Sequence, residues 1–286
     1  MIGRFPVKNI ICAIVTLNEQ KNILDCINSI RELGDFVIRV YDGGSNDDTV
    51  AIAKNAGVLV IEAPGSSLSY RRQLAADESD AEFIFYVDAD HRIQTLNGRL
   101  DQILQKYFDK PSVAGVMFRK ESDLTDYWSR GFYYRGELFL NKTINPKVIG
   151  MPCIFRTQLV KKVRFHEFAT GSIDDTLLCT RLGEQGYTFC IADEYVIERF
   201  RASYKLTRKK AFWYGLGDAE FVKINGGSLR RRHIFHVLVR NLLIHPLVSL
   251  IRRPLYFPFF CAFGFSRALG FFWGLMNEID MSSLKS

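Results

Sequence analysis

From residue 8 to about 90 the chain alternates between short apolar runs and stretches whose apolar residues recur at helical spacing. "NIICAIVTL" (9–17) precedes "EQKNILDCINSIREL" (19–33), in which Ile23, Ile27 and Ile30 share one helical face. "FVIRVYD" (36–42) precedes "DDTVAIAKNAG" (47–57), "VLVIEA" (58–63) precedes "SYRRQLAADES" (69–79), and "EFIFYVD" (82–88) closes the series. Strand and helix alternating in this way predict an α/β fold with mostly parallel strands and helices on both faces. Ligands of such sheets bind beyond the carboxyl ends of the strands. The residues at those ends are Thr16 to Glu19, Asp42 to Asp48 and Asp88 to Asp90, all of them polar segments.

The pattern loosens between 111 and 198. A strand-like "SVAGVMF" (112–118), an aromatic stretch "DYWSRGFYYRGELF" (126–139) and "GMPCIFR" (150–156) lead to "DDTLLCTRLGEQG" (174–186). That last segment reads as a helix with Leu178 and Leu182 on one face and Gly186 as its C-cap. After 199 the chain turns basic and aromatic, then mostly apolar. "LYFPFFCAFGFSRALGFFWGLM" (255–276) carries one charge, Arg267, and is long enough to span a bilayer. Pro258, Arg267 and its glycines equally suit a segment that re-enters the membrane or lies on it.

Composition sharpens this division. The net charge of +7 is unevenly placed: residues 1–198 hold 23 Lys/Arg against 27 Asp/Glu, whereas 199–286 hold 15 against 4. An excess of +11 in the last third points to an anionic surface as partner. Its aromatic residues are mixed with long aliphatic runs rather than set along a polar groove, which argues for membrane and against nucleic acid. Six scattered cysteines without a Cys-x-x-Cys pair indicate neither a zinc site nor a disulfide framework, and fit a reducing cytosol. The basic and apolar start lacks a small-residue cleavage site and reads as a first strand rather than a signal peptide. The expected domains are 1–200, with halves 8–91 and 92–200, and a membrane-associating helical region at 201–286.

The chemistry concentrates in carboxylates. Asp88 and Asp90 stand one residue apart, and in extended backbone both would point to one side. Charges so close repel unless a cation relieves them, and a hard divalent ion, Mg²⁺ or Mn²⁺, suits carboxylate and phosphate oxygens. Capping by Asp90 and pairing of Asp88 with an arginine is the plainer reading of that motif alone.

Thr16-Leu-Asn-Glu19, Asp42-Gly-Gly-Ser-Asn-Asp-Asp-Thr49 and Val87-Asp-Ala-Asp90 together resemble the nucleotide-sugar half of family 2 glycosyltransferases, of the GT-A fold. Where that family usually has Asp-Asp-Gly-Ser, this chain has Asp42-Gly43-Gly44-Ser45. The resemblance implies that Thr16, Glu19, Asp42, Arg72 and Asp88 line the nucleotide pocket. It also implies that Asp90 holds the metal, with Asp88 beside it and His91 a weaker candidate, as is His166. "SIDDTLLCTRLGEQGY" (172–187) is similar to the family's catalytic segment, with Asp175 as the general base and Asp174 supporting it; taken by itself, the pair is an ordinary helix N-cap. The region after it, "IERFRAS" (197–203), lacks the histidine many relatives have, so Arg199 or Arg201 is the alternative neutraliser of the diphosphate. The glycines of "WYGLGDAEF" (213–221) mark either an acceptor opening or close packing.

The expected activity is inverting, metal-dependent transfer from a nucleotide sugar, UDP-linked by default for the family. The acceptor is a hydroxyl of a lipid-linked or glycan molecule at the cytoplasmic membrane face. A polyprenyl-phosphate glycosyltransferase is the near alternative. A non-catalytic relative and a nucleotide- or nucleic-acid-binding protein are further ones.

Overall fold

The computed structural model describes residues 9–35, 37–94, 100–139, 146–165 and 172–278, and these fall into two compact units. The first comprises residues up to Asp123, Phe139–His166 and Asp174–Arg199. It is built on one sheet of eight strands. They are β1 (Ile10–Thr16), β2 (Val37–Asp42), β3 (Leu59–Glu62), β4 (Phe83–Asp88), β5 (His91–Gln94), β6 (Val113–Glu121), β7 (Cys153–Arg156) and β8 (Thr188–Glu198), in the order β3-β2-β1-β4-β7-β6-β8-β5.

The expected alternation holds. Helices α1 (Ile23–Arg31), α2 (Thr49–Asn55) and α3 (Leu68–Asp77) link β1 to β4, and those four strands pair in parallel. Successive side chains of a strand point to opposite faces. Ile10, Cys12 and Ile14 of β1 accordingly join one buried cluster with α1 and with α4 (Leu100–Phe108), while Ile11, Ala13 and Val15 join the other. That second face packs against α3, α6 (Thr157–Val163) and α7 (Asp174–Glu184). A strand buried on both faces reads as a continuous apolar run, which is why β1 and β4 stood out.

Beyond β4 the sheet becomes mixed. β7 is antiparallel to β4 and β6, and β5 is antiparallel to β8. The aromatic stretch that resisted assignment is a helix, α5 (Tyr127–Phe139), and Gly186 closes α7 in the left-handed region at φ +87°.

The second unit consists of Leu124–Leu138, a short segment up to Ile173, and everything from Phe200 on. It is helical: α5, α8 (Tyr204–Ile224), α9 (Gly227–Phe235), a π-helical turn (His236–Ile244), α10 (His245–Arg252) and α11 (Phe257–Met276). The stretches Gly227–Arg252 and Pro254–Met276 are each long and apolar enough to cross a membrane.

The single charge in α11 faces protein. Arg267 is buried and grips Asp218 of α8 through Nε–Oδ2 at 2.6 Å and Nη2–Oδ1 at 2.9 Å, and His233 of α9 adds a contact at 2.8 Å. Burial alone would raise the Asp218 carboxyl, but the Arg267 guanidinium holds it well below the usual range. The helices approach so closely that a Cβ on Gly215 would lie 2.0 Å from the Arg267 carbonyl, and one on Gly270 2.1 Å from that of Phe212. Close packing therefore explains Gly215 in "WYGLGDAEF".

A buried ion pair that loses one partner leaves an uncompensated charge, costing about 3–5 kcal/mol. Arg267→Met should destabilise the protein by about that amount in chemical denaturation, and adding Asp218→Leu should recover most of the loss.

Candidate active site

The ends of β1, β2 and β4 lie side by side because these strands pair in parallel and in register, Thr16 opposite Asp42 and Val15 opposite Asp88. Thr16 is buried, and its hydroxyl has no partner among the described residues. Glu19 follows in a turn closed by the Glu19 carbonyl accepting from the amides of Asn22 and Ile23. This turn delays α1 to residue 23. Burial pushes the Glu19 carboxyl up, while Asn22 holds it with a 2.7 Å hydrogen bond.

Asp42 is buried and organises its own loop. Its Oδ2 accepts from the amides of Gly44 and Ser45, both at 2.8 Å, and its Oδ1 accepts from the Ser45 hydroxyl. The departure at Gly43 faces the Arg71 guanidinium. A Cβ there would lie 2.0 Å from Nη1 of Arg71, so the space a second acidic side chain would take is filled by a guanidinium. Arg71 is buried, donates to the Ser66 carbonyl at 2.9 Å, and keeps an Nε without a partner among the described residues. Sequence reasoning missed Arg71; the signal was present in the Arg71–Arg72 doublet combined with a glycine at 43.

Arg72, expected at the nucleotide, joins two carboxylate groups. Its Nη1 donates to both oxygens of Asp174 at 2.8 and 2.9 Å, and its Nη2 donates to Oδ1 of Asp88 at 3.1 Å. Both Arg72 and Asp174 are almost wholly buried, at 4% and 1% exposed. Burial would raise the Asp88 carboxyl, but Arg72, aided by His91 and Lys120, holds it below its ordinary value.

Asp88 and Asp90 do approach one another, though by a different route from the one expected. Asp88 ends β4 and Asp90 lies in a turn, not in extended backbone. The turn is held by the Asp88 amide donating to Nδ1 of His91 at 3.2 Å and by the Arg199 amide donating to the Asp90 carbonyl at 3.0 Å. Ligand atoms of Asp88, Asp90 and His91 all lie within 4.8 Å of one another. A histidine whose Nδ1 accepts a hydrogen bond carries its neutral-form proton on Nε2. That nitrogen lies 3.8 Å from Glu198 and 4.0 Å from Asp90, near both carboxylates but without a hydrogen-bond partner among the described residues. The two aspartates form a hard oxygen set, which fits Mg²⁺ or Mn²⁺ completed by phosphate oxygens and water. Glu198, which pairs with His91 across β5 and β8 and with Lys120 at 3.2 Å, had no recognisable motif in the sequence.

At the start of α7, Asp175 Oδ1 accepts from the Thr176 amide at 2.6 Å, and its Oδ2 faces Gly150, where a Cβ would come to 3.0 Å. Burial, then the adjacent Asp174 charge, pushes the Asp175 carboxyl up to about 6. Arg199 is engaged by Asp123 at 2.9 Å and Asp25 at 3.7 Å. Arg201 belongs to the second unit, and His166 lies outside the described residues.

A parallel β3-β2-β1-β4 half ending in an Asp-x-Asp turn, with a carboxylate pair opening α7, is the plan of a sugar-nucleotide transferase. The profile described as "Glycosyl transferase family 2" matches residues 11–164, over half of the sequence, and the chain belongs to this family. An uncharacterized glycosyltransferase of Rickettsia typhi is 34% identical over 101 residues, covering 35% of this chain and 34% of its own length. Glycosyltransferase AglJ of Haloferax volcanii is 29% identical over 106 residues, 36% of this chain and 35% of its own. The chain thus matches about a third of the length of these curated relatives. Among solved structures, the mannosyltransferase PcManGT from Pyrobaculum calidifontis, in complex with GDP-Man and Mn²⁺, superposes with a TM-score of 0.69 at 15% identity, covering 93% of this chain and 87% of that one. Glucosyl-3-phosphoglycerate synthase of Mycobacterium tuberculosis, with Mn²⁺, UDP-glucose and phosphoglyceric acid, gives 0.52 at 16%, covering 73% and 78%. These likenesses establish the GT-A fold.

Gly43 and Arg71 should be energetically coupled. Gly43→Asp alone is expected to displace Arg71 and lower stability, whereas in an Arg71→Ala background the same change should cost little. A double-mutant cycle read by thermal denaturation should give a coupling of about 1–3 kcal/mol.

Proposed function

We propose that the chain is an inverting glycosyltransferase that moves a sugar from a nucleotide sugar, UDP-linked in the first instance, to a hydroxyl of a lipid-linked or polysaccharide acceptor. The observation that carries this reading is the Arg72 bridge, which holds Asp88 of the Asp-x-Asp turn and Asp174 of α7 on one guanidinium. Candidate donor-binding and proton-accepting groups are thereby fixed in one site.

Asp175 is the general base. A carboxylate whose proton affinity is raised to about 6 is ionised at neutral pH and still basic enough to take a proton from an attacking hydroxyl. Thr176 and the α7 N-terminus orient it, and Asp174, neutralised by Arg72, keeps the α7 entry in place. Thr16, Glu19, Asp42 and Arg71 surround the strand ends where the nucleotide would lie, Asp42 by holding the Gly44–Ser45 turn and Arg71 by placing a positive charge above Gly43. Asp88 and Asp90 would hold Mg²⁺ or Mn²⁺, with His91 beside them. When bound, such an ion supplies charge neutralisation to the departing diphosphate.

The second unit supports action at a membrane surface, on our reading the cytoplasmic face. Leu243, Leu247, Leu250 and Ile251 form one exposed apolar row, and Phe265, Leu269, Phe272, Trp273 and Met276 form another along α11. Arg240, Arg252 and Arg253 flank the first row in the sequence, as an anionic lipid surface favours.

Asp175→Asn should lower sugar transfer about 10²–10⁴-fold while a nucleotide sugar with Mn²⁺ still raises the melting temperature. Near-normal turnover in that variant would favour a phosphate acceptor, which needs no base, and would remove Asp175 from the mechanism. The base works deprotonated, so kcat should fall as pH drops through about 6 and level off above it. A pH–rate profile checks this. A thermal-shift panel of UDP- and GDP-sugars with Mn²⁺ identifies the donor, and Asp90→Ala should abolish its metal-dependent part.

A further inference from the structure

Between α8 and α11, within the second unit, lies a groove of about 470 Å³ lined by Tyr204, Lys205, Arg208, Lys209, Phe212, Ser266 and Leu269. Three of these are cations on one face of the first two turns of α8, at positions i, i+3 and i+4. The positive end of the helix dipole adds to their field, since α8 begins at Tyr204 behind its Ser203 cap. Opposite them is Ser266 of α11. It is only 3% exposed, yet its hydroxyl finds no partner among the described residues. A buried hydroxyl without a partner costs stability, so a donor left in this state at the wall of a cationic groove has a ligand oxygen as its natural partner. The remaining walls are apolar, and Leu269 belongs both to the groove and to the exposed row Phe265, Leu269, Phe272, Trp273 and Met276. The groove thus passes from a cationic mouth onto an apolar strip.

We propose that this groove binds an anionic phospholipid of the bilayer. Its phosphate would lie among Lys205, Arg208, Lys209 and the Ser266 hydroxyl, and its acyl chains would follow the α11 row. A soluble phosphate ester would use the cations and the hydroxyl but gain nothing from the strip. A nucleic-acid strand would meet an apolar surface where it needs a polar one. The proposal rests on the membrane-surface reading above and adds to it a specific lipid contact.

Sedimentation of the full chain with phosphatidylcholine vesicles, with and without phosphatidylglycerol, tests it. Diffuse attraction gives about a fivefold loss of partitioning for each cation removed near the surface, wherever it stands. Direct charge-assisted contacts are stronger, so Lys205→Gln/Arg208→Gln should lower binding to anionic vesicles about a hundredfold or more. The charge-matched Arg230→Gln/Arg231→Gln pair on α9 should lower it by no more than about thirtyfold. Ser266→Ala should weaken anionic-vesicle binding about fivefold without lowering the melting temperature, since it removes a hydroxyl that has no partner among the described residues. Inorganic phosphate should not displace the vesicles.

Equal losses from the two charge pairs would overturn the groove while leaving the membrane reading intact. Absence of binding to any vesicle would overturn both. Displacement by inorganic phosphate, or preference for an oligonucleotide, would assign the groove to another ligand. Nucleotide-sugar binding with Mn²⁺, followed by thermal shift in the same variants, should be unchanged, which separates failure of the groove from failure of the transferase site.

Discussion

The sheet-built unit depends on one buried cation. Arg72 stands between Asp174 and Asp88, residues that arrive from α7 and β4, and loss of Asp174 would leave its buried charge matched only by the part-exposed Asp88. Burying a guanidinium is costly unless its charge is matched and its donors are used. Here Nη1 and Nη2 are both engaged, and the planar fork fixes the angle at which α7 meets the strand end. That geometry places Asp175 beside Gly150, with burial and then the neighbouring Asp174 charge raising its proton affinity. The ion cluster thereby serves as scaffold and as the electrostatic setting of the Asp175 carboxyl.

The same physics recurs in the helical unit, with Asp218 in the central role. Arg267, Asp218 and His233 tie α8, α9 and α11 together inside an apolar surround, and Gly215 and Gly270 let the backbones come close enough for the contact to form. A helix whose only charge is neutralised in this way can turn its remaining apolar face to lipid. Exposed Phe272, Trp273 and Met276 therefore occur on the same helix as a buried arginine.

Two features of the site are set by their immediate neighbours. Gly43 stands where the family usually has a carboxylate, and the Arg71 guanidinium lies in the space a side chain there would enter. His91 follows the Asp-x-Asp pair, yet its Nδ1 is committed to the Asp88 amide, and its buried Nε2 has no hydrogen-bond partner among the described residues.

Much of this was legible in the chain itself. The apolar runs of β1 and β4, the helical spacing of Ile23, Ile27 and Ile30, and the polar residues closing each strand define a parallel half-sheet and the side on which chemistry occurs, because periodicity reports which backbone positions are buried. The Asp-x-Asp pair, the Asp174–Asp175 pair and the basic last third were also visible. The partner of each charge was not. Arg72 meets Asp174 across 102 residues, and Arg267 meets Asp218 across 49, distances over which spacing carries no information. Which of two adjacent arginines faces the Asp42 loop, and whether Asp88 and Asp90 meet through extended backbone or a turn, depended on how α3, β4, β5 and α7 pack. Local propensity sets each element; only their tertiary packing decides which charges meet.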